Sequence, residues 1–113
     1  MRTIEFRGKN FDNGEWEYGY VVSGCNSREW RIGDFLVDAN TIGQFTGLKT
    51  SNGENIYEGD IIRFGKGFFE ISFADGCFWM SNQDYTMELH TVLGMGKIEV
   101  VGNIHDNPEL KVL

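Results

Sequence analysis

A mainly β fold follows from three features of the 113-residue sequence. Three dipeptides suited to tight turns, Asn13-Gly14, Asn52-Gly53 and Asp75-Gly76, lie between short runs rich in apolar residues. The 15 glycines are scattered singly between such runs, as many turns require and as low complexity does not. Consecutive short strands joined by tight turns favour an antiparallel barrel. The expected architecture is an N-terminal antiparallel hairpin region packed with a small SH3-like β-barrel. One domain is expected over residues 1–113, with lobes at 1–44 and 45–113, because this length supports one core.

Residues 3–22 read as a hairpin turning at Asn13-Gly14. Pairing outward sets Phe11 against Trp16, Lys9 against Tyr18 and Arg7 against Tyr20, one aromatic and basic face on which cations lie across rings. Residues 23–27 are turn-rich, and 28–37 supply one or two short strands. Asp38 to Thr41 leads into Ile42-Gly43-Gln44-Phe45, a short extended link. The Asn52-Gly53 turn then sets Leu48 opposite Tyr57 and Lys49 opposite Ile56. In Tyr57-Glu58-Gly59-Asp60, glycine permits a turn, Asp60 is expected to hold nearby backbone N–H groups, and an apolar strand follows. Gly65-Lys66-Gly67 closes the next turn. Around Asp75-Gly76, Phe73 faces Phe78 and Ile71 faces Met80 on a core side, with Ala74 against Cys77 and Ser72 against Trp79 behind. Gln83 to Leu93 fits a strand and a helical turn equally well. Lys97 to Ile104 is a strand with Ile98 and Val100 inward and Glu99 outward. Asn107 is placed to cap a single turn starting at Pro108.

Gln44 to Arg63 resembles the signature segment of the YopX-like family of phage and prophage proteins. Ile4-Glu5-Phe6-Arg7-Gly8-Lys9 with Trp16-Glu17-Tyr18-Gly19 resembles that family's start, and Glu99 to Leu110 resembles its ending. The three blocks come in the family's order, and the sequence departs from it at His105, where an aromatic residue is common. The resemblance implies a phage-related protein and carries over no catalytic residue.

Charge and composition narrow the function classes. Apolar residues at 41% and aromatics at 14% suffice for a packed interior. A formal charge of −7 disfavours direct binding to nucleic acid, which needs a basic stripe to displace counterions. No apolar run approaches the roughly 20 residues that cross a bilayer, so no membrane partner is expected. Cys25 and Cys77 lack CxxC spacing, and no charged leader with an apolar run opens the sequence, which fits the cytoplasm of a host cell.

Chemistry-bearing residues are few. His90, His105, Cys25 and Cys77 lack the paired spacing of a zinc site, so neither a metal nor another cofactor is expected. Glu58 and Asp60 stand two apart, as an acid–base pair would need, but with glycine between them turn capping is the simpler reading. No phosphate-binding loop and no nucleophile motif is present. The sequence therefore reads as a non-enzymatic binding or assembly module. Trp16, Tyr18, Tyr20, Trp30 and Trp79 are its candidate binding residues, and a homo-oligomer, or a host or phage protein, its partner. The alternative is an acidic inhibitor that mimics nucleic acid toward a host protein, with Asp12, Glu15 and Glu17 in one cluster and Asp84, Glu88, Asp106 and Glu109 in another.

Overall fold

The computed structural model describes residues 5–23 and 29–110. The chain divides into two compact units, Met1–Phe45 and Thr46–Leu113. Cys25 and the turn-rich stretch around it lie outside the described residues.

In the first unit, β1 (Phe6–Lys9) pairs antiparallel with β2 (Trp16–Gly19). The register differs from the expected one: Lys9 faces Trp16, Arg7 faces Tyr18 and Phe6 faces Gly19. A two-residue type I′ turn needs positive φ at both central positions, and here only Gly14 has it, at 74°. Two asparagine side chains favour a longer loop instead. The Asp12 amide donates to Asn10 Oδ1 at 2.8 Å and the Glu15 amide to Asn13 Oδ1 at 2.9 Å, while the Asn10 amide closes the loop on the Glu15 carbonyl at 2.8 Å.

Three short strands, β3 (Val21–Ser23), β4 (Trp30–Ile32) and β5 (Phe35–Val37), make a separate antiparallel sheet in that order. A 3-10 turn over Ala39–Thr41 follows, opened by Asp38, whose carboxylate accepts from the Asn40 amide. Thr41 then fastens it to β1, its hydroxyl accepting from the Lys9 amide at 2.8 Å and donating to the Asp38 carbonyl. The first residues of β6 (Gly43–Lys49) return to β1, with Gly43 opposite Arg7 and Gln44 opposite Phe6. Ile32, Val37 and Phe45 are the buried hydrophobic residues of this unit among those described. A Cβ on Gly8 would stand 3.2 Å from that of Val37, so glycine allows β1 to approach.

In the second unit the trailing part of β6 pairs with β7 (Asn55–Tyr57). The loop between them has three residues rather than two. Positive φ occurs at Gly53, at 86°, but not at Asn52, and the Thr50 amide donates to the Glu54 carbonyl at 2.8 Å. That is a type I turn followed by a glycine bulge, and it moves the closing pair from Ser51–Glu54 to Thr50–Glu54. The Thr50 hydroxyl accepts from the Glu54 amide and reinforces the larger loop.

Five strands form the main sheet: β8 (Asp60–Phe64), β9 (Gly67–Ala74), β10 (Cys77–Ser81), β11 (Thr86–Glu88) and β12 (Ile98–Asn103), in the order β11-β10-β9-β8-β12. All its pairings are antiparallel, and β11 and β12 remain separate end strands. The mainly β, antiparallel class stands, and among the described residues the pairings do not close this sheet into the expected SH3-like barrel. Asp75 and Gly76 both adopt positive φ, 53° and 79°, and the β9–β10 register is the expected one, with Phe73 opposite Phe78 and Ile71 opposite Met80. Gln83 to Leu93 satisfies both readings in succession, as β11 and then the single helical turn α1 (Leu89–Val92), which buries Leu89 and Val92.

Ile56, Ile62, Phe69, Ile71, Met80, Leu89, Val92 and Ile98 form one buried cluster. Truncating its centre by Ile62→Ala removes packed methyl groups and leaves a cavity. The expected loss is about 2–5 kcal/mol, read as a lower urea midpoint at unchanged m-value.

Candidate functional site

Four of the five candidate aromatic residues lie in the first unit, and they do different things. Trp16 is engaged by the chain's own cations, with the Arg7 guanidinium carbon 4.4 Å and the Lys9 ammonium 5.3 Å from its ring centroid. The expected cation–π face exists, but its tryptophan is already occupied. Trp30 is half-buried, between Ser23 and Val37 in strand register. Tyr18 and Tyr20 are 55% and 74% exposed, and Phe11, Val22 and Phe35 join them as exposed apolar side chains of the same unit. Sequence reading missed those last three. Trp79 belongs to the second unit, where its indole N–H donates to the Ala74 carbonyl at 2.9 Å across its own hairpin.

The Glu58–Asp60 turn is a structural joint. Asp60 is 2% exposed, and its Oδ2 accepts from the Tyr57 amide at 2.7 Å. Gly59 takes φ of 91°, its amide donating to the Ile71 carbonyl and its carbonyl accepting from the Ile104 amide. The segment after β12 is held by Asn103, whose Oδ1 accepts from the His105 and Asp106 amides and whose Nδ2 donates to Asp106 Oδ2 at 3.0 Å. His105 thereby lies over the turn, its Nε2 3.7 Å from where a Gly59 Cβ would stand. Asn107 does not cap the Pro108 turn as expected; its Oδ1 accepts from the Asn103 amide instead.

Cys77 is a free thiol, and it lines a depression of about 200 Å³ with Thr46, Leu48, Phe78, Glu88 and His90. Cys77 and His90 are thirteen positions apart in sequence, a spacing that matches no nucleophile or ligand motif, so nothing in the sequence pointed to this convergence. No group of three or more His, Cys, Asp or Glu among the described residues is arranged to hold a metal ion. A larger open depression, about 470 Å³, is lined by Arg63, Phe64, Gly65, Gly96, Lys97 and Glu99. Glu99 bridges its two cations, at 2.7 Å to Arg63 and 3.3 Å to Lys97. The Lys97 ammonium foremost, with Arg63, holds the Glu99 carboxyl below its ordinary value of 4.5.

The acidic clusters differ in substance. Asp12, Glu15 and Glu17 do flank one loop, where the Asn10 amide group donates to Glu17 Oε2 at 3.0 Å. Asp84 belongs to the loop before β11 and Glu88 ends that strand, whereas Asp106 and Glu109 follow β12. No helix of the described residues is long and apolar enough to cross a membrane.

These features define a class: an antiparallel β protein with a buried-aspartate turn and an asparagine-held tract after β12. The YopX protein family matches residues 9–111, nearly the whole chain, and the chain belongs to that family. The crystal structure of protein EF1440 from Enterococcus faecalis is similar to it at 26% identity and a TM-score of 0.65, covering 97% of this chain and 99% of that one. No curated protein matches the sequence.

Two substitutions test the joint and the surface pair. Asp60→Ala takes the acceptor from a buried Tyr57 amide and is expected to cost about 1–3 kcal/mol in chemical denaturation. Because the Glu99 carboxyl titrates lower folded than unfolded, its pairing stabilises above the unfolded value and that contribution is lost as pH falls through the folded one. Lys97→Ala is accordingly expected to move the Glu99 midpoint upward in a carboxyl-carbon NMR titration, and added salt to do the same in the parent protein.

Proposed function

We propose that this YopX-family protein is a non-enzymatic binding or assembly module of phage or prophage origin. It acts in the host cytoplasm through the aromatic surface of its first unit. The observation that carries this reading is the exposure of Phe11, Tyr18, Tyr20, Val22 and Phe35 within residues 1–45. Scattered apolar side chains are ordinary on a surface, but five large ones on so small a unit mark a surface made to be covered. Trp16, lying under Arg7 and Lys9, and Trp30 are half-buried and less accessible than those five. The simplest cover is a second copy of the chain, and a host or phage protein is the other. Nucleic acid and membrane are not its ligands.

The mimicry alternative draws on the net charge of −7 and on the loop carrying Asp12, Glu15 and Glu17. It is the weaker reading. Glu17 is engaged by Asn10, Glu29 is paired with Arg31, and Glu99 is paired with two cations, so these three carboxylates are already held by the chain itself. Sedimentation equilibrium at tens of micromolar, about the weak end of specific association, decides self-assembly. A mass above 12.9 kDa that rises with concentration is expected, and a monomer throughout would exclude it.

A further inference from the structure

The positive charge of the second unit is gathered at one end of its main sheet. Among the described residues this unit has four lysines and arginines, Lys49, Arg63, Lys66 and Lys97, in a chain of formal charge −7. Arg63 stands one residue before the end of β8, Lys66 in the turn that follows, and Lys97 just before β12, which pairs with β8. Three of the four therefore belong where β8 ends and β12 begins. Arg63 and Lys97 line the depression of about 470 Å³ at that end, a volume within the roughly 300–1,000 Å³ usual for small-molecule sites. Its one carboxylate is Glu99, which both cations engage.

Two features equip this depression for more than an ion pair. Arg63 and Lys97 are exposed, and Glu99 engages a single nitrogen of each, whereas a guanidinium carries several N–H donors and an ammonium three. The second feature is the half-buried ring of Phe64. A Cβ on Gly96 would stand 3.0 Å from Phe64 Cε1, so glycine there keeps the rim of the ring uncovered. Gly65, at φ 62°, has open space where a side chain would stand.

We infer that this depression binds a small organic anion, with its acidic group held by Arg63 and Lys97 and a flat apolar ring laid against Phe64. The inference goes beyond the assembly reading and uses the second unit alone. Guanidinium and ammonium together suit a phosphate or carboxylate, and a ring against Phe64 selects an aromatic anion over an inorganic one. A polyanion would need a basic stripe that a chain of this net charge lacks, but a small anion needs only the local pair. Glu99 is then an internal competitor for the same two cations. The lowered titration of its carboxyl agrees with a place where negative charge is favoured.

Phenyl phosphate is the probe, titrated at low salt while the Gly65 and Gly96 amides are followed by NMR. Both amides are expected to shift and saturate, and inorganic phosphate, which has no ring, and phenol, which has no charge, to bind at least about tenfold more weakly. Exposed ion pairs contribute little to stability, so variants of Arg63 and Glu99 keep the fold, which circular dichroism and the urea midpoint verify. Arg63→Gln is expected to weaken phenyl phosphate at least about tenfold. Glu99→Gln removes the competitor and is expected to tighten it by about threefold. A merely structural pair would not move binding in opposite directions. Phe64→Leu keeps an apolar side chain against the core and is expected to erase the preference for phenyl phosphate over inorganic phosphate. No shift at either glycine with phenyl phosphate up to about 10 mM would overturn the site. Equal weakening by Arg63→Gln and by Lys49→Gln would reduce the effect to net charge and overturn it as well. Weaker binding in Glu99→Gln would make that carboxylate a ligand contact and overturn the assignment. Self-assembly is read separately by sedimentation, so either proposal can fail without the other.

Discussion

A single carboxylate, that of Asp60, sets the geometry from which the second unit is built. A buried carboxylate is tolerated only where hydrogen bonds replace its lost hydration. By taking the Tyr57 amide, Asp60 closes the turn that carries the chain from β7 into β8. The same turn presents the Gly59 amide to Ile71 of β9 and the Gly59 carbonyl to Ile104 beyond β12. One short joint therefore fixes three strands relative to β8, and Asn103 comes to stand opposite Asp60 in the ladder. Asn103 then folds the following residues back on themselves through its side chain. The two segments that most resemble the family meet here. What they share is a structural joint.

How much of this was legible depends on which hydrogen bonds compete at each turn. At Asp75-Gly76 none of the described side-chain hydrogen bonds reaches the backbone of either residue; both enter the positive-φ region, and the register is the one the dipeptide predicts. Asn13-Gly14 and Asn52-Gly53 look better suited, yet neither asparagine adopts positive φ. Asn10 and Asn13 hold amides of the first loop, and the Thr50 hydroxyl holds one in the second. Side chains of this kind stabilise larger loops, and a dipeptide rule takes no account of them. Barrel closure was not legible for another reason. Closure depends on which end strands meet, a long-range property that local alternation of apolar residues does not encode.

The candidate surface was partly legible too. Tyr18 and Tyr20 could be named because large aromatic residues outnumber what a small core encloses. Trp16 could not be separated from them in sequence, since its occupation by Arg7 and Lys9 follows from a register displaced by the asparagine loop. Val22 and Phe35 are ordinary strand residues until their exposure is known. The Cys77–His90 depression was illegible for the opposite reason, since it joins a hairpin to the helical turn α1 that sequence periodicity left open.

The two units divide the apolar surface unevenly, and the proposed binding surface draws on that imbalance. Eight side chains of the second unit close into one cluster, with six further partly buried residues packed around it. The first unit has three buried hydrophobic residues among those described, while the rings of Phe11, Tyr18, Tyr20 and Phe35 are exposed. At this size, below or near about 50 residues, a unit rarely buries enough to stabilise itself, and association is one common remedy. The same rings that fail to enter the core are then the ones that gain most from being covered. A surface that would be a liability in a solitary unit is therefore what an assembling one requires.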